Sequence, residues 1–250
     1  MKLGVGIVTY NSEKYFDDLY KSLPLDKIDE IVVVNGGDPY KKKYKHVDWI
    51  QHHVNAGPAR SRNDCLGYLI ERDVDYYCII EDDMIIKSPD VFDKYIDALE
   101  TTKLGYLCFV SMSLNCGGPG NRNPSHVVQY SSDTEICYYP NMCNEFTIKT
   151  KKCLLETGKY DTRFYSMWDV ANVYMVSQSN HMQAFWYFPD ISNSDELIMN
   201  NPQATSRINE SGKRDSRLLE EKKLFAEICG VDVSYIPKLD SQQFIQHIKP

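Results

Sequence analysis

Residues 76–80, Tyr-Tyr-Cys-Ile-Ile, are apolar at every position and run directly into Glu81-Asp82-Asp83. A strand that is apolar on both faces belongs in the middle of a sheet covered by helices on each side, which predicts an α/β architecture. Three carboxylates at the end of such a strand are costly unless cations or hydrogen-bond donors meet them. Successive strand residues point to opposite faces, so Glu81 and Asp83 share one side and Asp82 faces the other, unless a turn begins there. Such oxygen ligands suit a hard divalent ion, Mg2+ or Mn2+, commonly held by one or two carboxylates with substrate phosphates completing the shell. The plainer alternative is an acidic turn paired with surface Lys or Arg.

The segments around this strand repeat a βα pattern. Residues 3–9 and 30–34 are short β-branched runs, and the spacing of Tyr15, Phe16, Leu19 and Leu23 predicts a helix between them, with Ser12 placed to cap it. The second run ends in Asn35-Gly36-Gly37-Asp38-Pro39, turn chemistry at the carboxyl end of a central strand, where open α/β sheets bind ligands. A third strand is expected over 49–52, and Pro58 opens a helix through Arg60, Asn63, Leu66 and Ile70. Further on, the pattern predicts a helix from 88 to 99, strands at 105–112, 136–139, 145–149 and 184–188, and helices at 150–158, 168–179 and 216–229. Residues 115–132 are rich in Gly, Pro and Asn and read as a long functional loop; 190–217 lacks periodicity and reads as a flexible loop.

A chain of 250 residues with 42% hydrophobic and 25% charged residues has enough apolar surface for a sizeable core. No apolar run approaches the roughly 18 residues of a spanning helix, and the N-terminus lacks the pattern of a secretory signal, so a cytoplasmic protein is expected. The eight cysteines include no Cys-x-x-Cys pair, which favours free, buried thiols. The net charge of −7 disfavours a broad nucleic-acid-binding surface. Lys41-Lys42-Lys43-Tyr44-Lys45 is a local basic strip that reads mainly as a solvated loop. His52-His53 is expected to pair with backbone or water rather than metal.

Taken together, residues 5–11 (Val-Gly-Ile-Val-Thr-Tyr-Asn), the turn at 31–38, Asn55-Ala56-Gly57-Pro58-Ala59-Arg60-Ser61-Arg62-Asn63 and Glu81-Asp82-Asp83 resemble GT-A nucleotide-sugar glycosyltransferases, particularly the family 2 type. The acid triplet stands where that family has its DXD motif, and its Glu-first form is similar to that of N-acetylglucosaminyltransferases. The match is good over residues 3 to about 100, partial to 179 and weak in the C-terminal third. The resemblance implies a GT-A fold, a Rossmann-like, mainly parallel sheet flanked by helices. It implies a catalytic domain over 1–189, with a nucleotide-sugar half (1–112) and an acceptor half (113–189), then a loop and helical extension over 190–250.

It further implies a UDP-sugar donor and a Mn2+ or Mg2+ cofactor. Thr9, Tyr10, Asn11, Asn35, Gly36, Asn55, Gly57, Arg60, Arg62, Glu81 and Asp82 would line the donor site, and Asp83 would bind the metal. Many relatives carry an Asp at the turn after the second strand, where this chain has Asn35, an amide able to meet uracil or another base. For Arg60 and Arg62, contact with the diphosphate and pairing with the nearby acids remain open. Residues 158–169 are similar to the stretch that ends in the catalytic acid pair of inverting members. Asp169 matches the second acid as general base, Trp168 replaces the first, and Trp168 with Tyr165 would face an acceptor sugar; Asp169 is otherwise an ordinary acid at a helix start. After Pro189-Asp190-Ile191 the chain has Ser192-Asn193-Ser194-Asp195, with no His where some relatives place a further metal ligand, so Asp190 or water would fill that role or it is absent. Residues 207–217 would form a lid or a solvated linker.

The acceptor would be a hydroxyl of a glycan, lipid-linked saccharide, protein or modified nucleobase. A nucleotidyltransferase shares the sheet and acidic site but usually shows a Gly-rich loop with Lys or Arg after its first strand, where Thr9-Tyr10-Asn11-Ser12 stands here. A non-catalytic nucleotide- or glycan-binding module is the remaining alternative.

Overall fold

The computed structural model describes residues 1–110, 123–140, 144–179, 187–204, 214–233 and 239–248. Its main sheet has the order β3 (Asp48–Gln51), β2 (Glu30–Asn35), β1 (Leu3–Thr9), β4 (Tyr76–Glu81), β9 (Asn144–Thr150), β6 (Tyr106–Val110). The first four strands are parallel, and β9 runs antiparallel to both β4 and β6. Every residue of β1 is buried, as are the first five of β4, because helices cover both faces of the sheet. The ends of β1, β2 and β4 therefore lie side by side: Thr9 pairs with Asn35, and Val8 with Glu81.

Helix α1 (Glu13–Ser22) buries Phe16 and Leu19. Phe16 packs in an aromatic cluster with Tyr20, Tyr40, Tyr44 and Trp49, in which Phe16 and Tyr44 are buried, Tyr20 and Tyr40 half-buried and Trp49 exposed. Ser12 makes no side-chain cap; its hydroxyl instead donates to the Tyr10 carbonyl at 2.9 Å. Helix α2 (Pro58–Glu71) starts at Pro58 as expected, but the face it buries includes Arg62 together with Ala59, Cys65, Leu66 and Leu69. Arg62 can occupy that face because a carboxylate and an aromatic ring meet its charge inside.

Helix α3 (Val91–Thr102) precedes β6, and α4 (Lys151–Thr157) follows β9, with Thr150 capping it through a bond from Cys153 N at 3.2 Å. Residues 126–129, expected in the long loop, form β7 (His126–Gln129), which joins β8 (Glu135–Pro140) and β10 (Tyr187–Ile191) in a three-stranded antiparallel sheet. Residues 115–122 of that loop, and 184–186 of the expected late strand, lie outside the described residues.

The expected flexible loop at 190–217 contains structure. Its first residues complete β10, then come α6 (Ser194–Leu197) and β11 (Ile198–Asn200), which pairs antiparallel with β5 (Met84–Ile86) immediately after the acid triplet. Backbone pairing supplies the order that side-chain periodicity does not signal. Residues 205–213, which hold most of the expected lid, are outside the described residues. Helix α7 (Arg214–Cys229) inserts Phe225 against Phe164 and Tyr174 near α5 (Trp168–Ser177). Helix α8 (Ser241–Ile248), absent from the sequence reading, plugs Phe244 against Tyr138, Tyr187 and a stacked His126. Cys65, Cys78 and Cys153 are free, buried thiols, and Cys108 and Cys137 are buried as well. Among the described residues, no helix is long and apolar enough to cross a membrane.

Candidate active site

The site forms where β1, β2 and β4 end. Thr9 closes β1, and its hydroxyl donates to Asp82 Oδ2 while also meeting the Tyr40 hydroxyl. The Asp82 N–H donates to the Val8 carbonyl at 3.2 Å, extending the β1–β4 ladder by one step. Burial pushes the Asp82 carboxyl up to about 8, the neighbouring Asp83 charge adds to the rise, and the Thr9 hydroxyl opposes it.

The second turn is tied to the first. Asn11, in a left-handed conformation with φ 50°, accepts from the Asp38 N–H at 2.8 Å, and Gly36 N–H donates to the Thr9 carbonyl at 2.9 Å. A Cβ on Gly37 would come 2.1 Å from Asn11 Oδ1, so Gly37 rather than Gly36 is the glycine this close approach requires. Asn35 is fully buried, and its amide is spent on the turn: Oδ1 accepts from Gly37 N–H at 2.9 Å, while Nδ2 donates to the Asp38 carbonyl at 2.8 Å and to Gln51 at 3.2 Å. The amide expected to meet a base therefore shapes the loop instead. Tyr10 stands exposed beside it.

The two arginines separate. Arg60 is exposed and bonds Asp64 one turn along its own helix, a carboxylate that also holds His52 Nε2 at 2.9 Å. Arg62 is 1% exposed, donates to Glu81 Oε1, and lays its guanidinium carbon 3.6 Å from the Trp168 ring centroid. Trp168 is itself buried, with its ring at 5.5 Å from Tyr160 in an edge-on arrangement. It therefore lies between Arg62 and Tyr160 rather than facing outward for a sugar, because the buried cation needs its π face.

Asp83 follows at the turn into β5, and its carbonyl accepts from Asn201 N–H at 2.6 Å. Its Oδ1 is buried with no hydrogen-bond partner. Burial raises the Asp83 carboxyl well above the usual range, and the charges of Glu145 and then Glu81 raise it further. Glu145 was missed by sequence reasoning. It lies one step beyond the Ile80–Phe146 pair on β9, which brings it alongside the end of β4. Its Oε2 accepts from Asn200 Nδ2, so β11 also reaches the site. The only sequence signal was a charge opening the run Phe146-Thr147-Ile148. Local periodicity carries no information about which strand will lie next to β4.

Among the described residues, no three acids, histidines or cysteines converge closely enough to hold a metal ion by themselves. The unpaired Asp83 oxygen, surrounded by surplus carboxylate, nevertheless fits a divalent cation that takes one or two protein oxygens and completes its shell with phosphate. Asp190 does not contribute. Its oxygens accept from the Tyr95 hydroxyl at 2.6 Å, Val110 N–H at 3.0 Å and Ser194 Oγ at 2.7 Å, deep between β10 and β6, so a structural role replaces the expected metal contact.

Asp169 lies in the first turn of α5 and accepts from Val170 N–H at 2.8 Å. Burial pushes its carboxyl up to about 7, with the main-chain N–H and Arg62 opposing the rise. The charge of Glu81 adds to the rise. Tyr165, three residues before α5, packs over Gly57, whose φ is 85°; a Cβ there would come 2.9 Å from the Tyr165 ring. Asn55 Oδ1 accepts from Gly57 N–H at 2.9 Å and holds that loop.

S. aureus TarS superposes with a TM-score of 0.63 at 18% identity, covering 99% of this chain and 42% of that chain. The fold is GT-A. TarS 1–349 in complex with UDP-GlcNAc matches this GT-A chain with a TM-score of 0.59 at 16% identity, over 99% of this chain and 70% of that one. The mannosyltransferase PcManGT from Pyrobaculum calidifontis, in complex with GDP-Man and Mn2+, matches at 0.53 and 15% identity, over 92% of this chain and 64% of that one. The GT-A chain thus spans less than half the length of the first TarS chain. No protein-family profile and no curated protein sequence matches it.

Proposed function

We propose that this chain is a nucleotide-sugar glycosyltransferase that uses a UDP-sugar, a divalent metal and Asp169 as general base. The observation that carries the reading is the unpartnered buried oxygen of Asp83 among Glu81, Asp82 and Glu145, at the strand ends where this fold binds its donors. Binding of UDP, UDP-GlcNAc and GDP-Man by the structural neighbours supports a nucleotide-sugar donor, and Mn2+ in one of them supports the metal.

Asp83, with Glu145 or Glu81 behind it, would hold Mn2+ or Mg2+. When bound, the ion supplies positive charge against the donor diphosphate. Thr9 and the Tyr10 main chain hold the Asp82 carboxyl by hydrogen bonds, and Asp82 would face the donor ribose or sugar. The exposed ring of Tyr10 and the Asn11–Asp38 turn form the nucleoside edge. Arg62 pairs with Glu81 and adds a fixed cation behind the acids. Asp169 takes the proton from an acceptor hydroxyl as that oxygen bonds to the anomeric carbon and the bond to the diphosphate breaks. Nucleoside diphosphate leaves, and a single base with direct displacement inverts the anomeric carbon. The acceptor is proposed only as a hydroxyl of a glycan, lipid-linked saccharide, protein or modified nucleobase.

The test separates binding from transfer. Asp83→Ala should abolish metal-dependent UDP binding, and Asp169→Asn should retain UDP binding while removing donor turnover. Equal loss of binding in both would overturn these roles.

A further inference from the structure

We propose that Glu221, on the C-terminal helix α7, is a positioning residue for glycosyl transfer that holds the three residues ahead of Trp168 and Asp169 in register. This inference rests on the transfer reading above and adds a residue from a part of the chain that the sequence reading treats as an appendage.

Glu221 is 5% exposed, unusual for a glutamate. Its charge is met by main chain: Oε1 accepts from Tyr165 N–H at 3.0 Å and Ser166 N–H at 3.1 Å, and Oε2 accepts from Ser166 N–H at 2.8 Å and Met167 N–H at 2.8 Å. Three successive N–H groups converging on one carboxylate form an anion-holding nest, and charge-assisted bonds of this kind are stronger than neutral ones. Met167 is the N-cap of α5 and makes no side-chain cap of its own, so the entry into that helix is set from outside it, by α7.

The same helix grips the loop a second time. Arg217, one turn before Glu221, places its guanidinium carbon 4.3 Å from the Tyr165 ring centroid, and that ring lies against Gly57 of the donor-side loop. Past the nest, Trp168 stacks on Arg62, whose guanidinium pairs with Glu81, and Asp169 follows. One carboxylate therefore fixes the segment that connects both halves of the site. A displacement of about 1 Å at a reacting group can cost on the order of a hundredfold in rate.

The experiment compares wild type with Glu221→Gln, Glu221→Ala and Glu221→Asp in the full chain, using UDP-GlcNAc and GDP-mannose with Mn2+ as donors and UDP with Mn2+ for binding. Turnover at saturating donor should fall about tenfold or more in the Gln and Ala variants, with donor KM and UDP affinity within about twofold of wild type. Glu221→Asp, which keeps the charge, should recover part of the loss. Wild-type turnover in the Gln and Ala variants, or loss of turnover only in proportion to loss of folded protein, would overturn the proposal. If those two variants do not fold, Glu221→Asp decides: unchanged turnover overturns the proposal and a severalfold drop with intact UDP binding supports it. Absence of turnover in the wild type with both donors would instead overturn the transfer reading on which it stands.

Discussion

The guanidinium carbon of Arg62 lies 3.6 Å from the centroid of the Trp168 ring while the group donates to Glu81, so one buried cation joins the donor-side helix, the acid triplet and the start of α5. Removing it would leave Glu81 unpaired beside Asp83 and Trp168 unsupported. Arg62→Ala should cost up to about 3 kcal/mol of stability in denaturant unfolding. Arg62→Lys should rescue little, because an ammonium cannot both stack and pair in the guanidinium's plane.

Asp83 should trade stability for binding. Its carboxyl is raised in the folded chain, so the native state keeps a proton that the unfolded state has already lost as pH climbs above the ordinary carboxylate range. That difference lowers stability with rising pH. Asp83→Asn should therefore match or exceed the wild type in metal-free melting at pH 7 to 8, by about 1 kcal/mol, while losing stabilisation by UDP with Mn2+. A marked drop in metal-free melting temperature would contradict this.

Asp169 must be ionised to accept a proton, and burial holds its carboxyl at about 7. Donor turnover should rise through pH 7 and level off above it, and Asp169→Asn should remove both the activity and that limb. The same shift makes the group's contribution to folding fall between about pH 4 and 7 and stay constant beyond, since the folded pKa lies above the unfolded one. A profile measured against UDP release, alongside melting temperatures over the same range, checks both signs.

Gly57 faces two constraints at once, a φ of 85° and a Tyr165 ring within 2.9 Å of where a Cβ would stand. Gly57→Ala should cost about 1–3 kcal/mol and displace the loop that Tyr165 covers. Trimming the ring as well, in Gly57→Ala with Tyr165→Ala, should relieve the collision but retain the backbone strain.

The βα units up to α3 were readable because apolar runs, caps and turn residues act locally: Pro58 starts α2 and Ile80 hands over to Glu81 as expected. The acid triplet stood out by its position after a buried strand, whereas Asp169 was singled out only by the resemblance of residues 158–169. Glu145 and Glu221 did not. One reaches the site through the antiparallel pairing of β9 with β4, the other through packing of α7 on α5, and neither arrangement leaves a local period in the sequence. Asn35 misled for a related reason: an amide after a strand reads as a ligand contact, whereas its hydrogen bonds are consumed by Gly37, Asp38 and Gln51. Short β5 and β11 were invisible because each exists only through the other.

The most direct test is nucleoside diphosphate release from a panel of UDP- and GDP-sugars with Mn2+, in wild type and Asp83→Ala, each repeated with the metal chelated. The account predicts slow, metal-dependent turnover of one donor by the wild type alone. Nucleotide binding without turnover of any donor, or turnover that survives both Asp83→Ala and chelation, would contradict it.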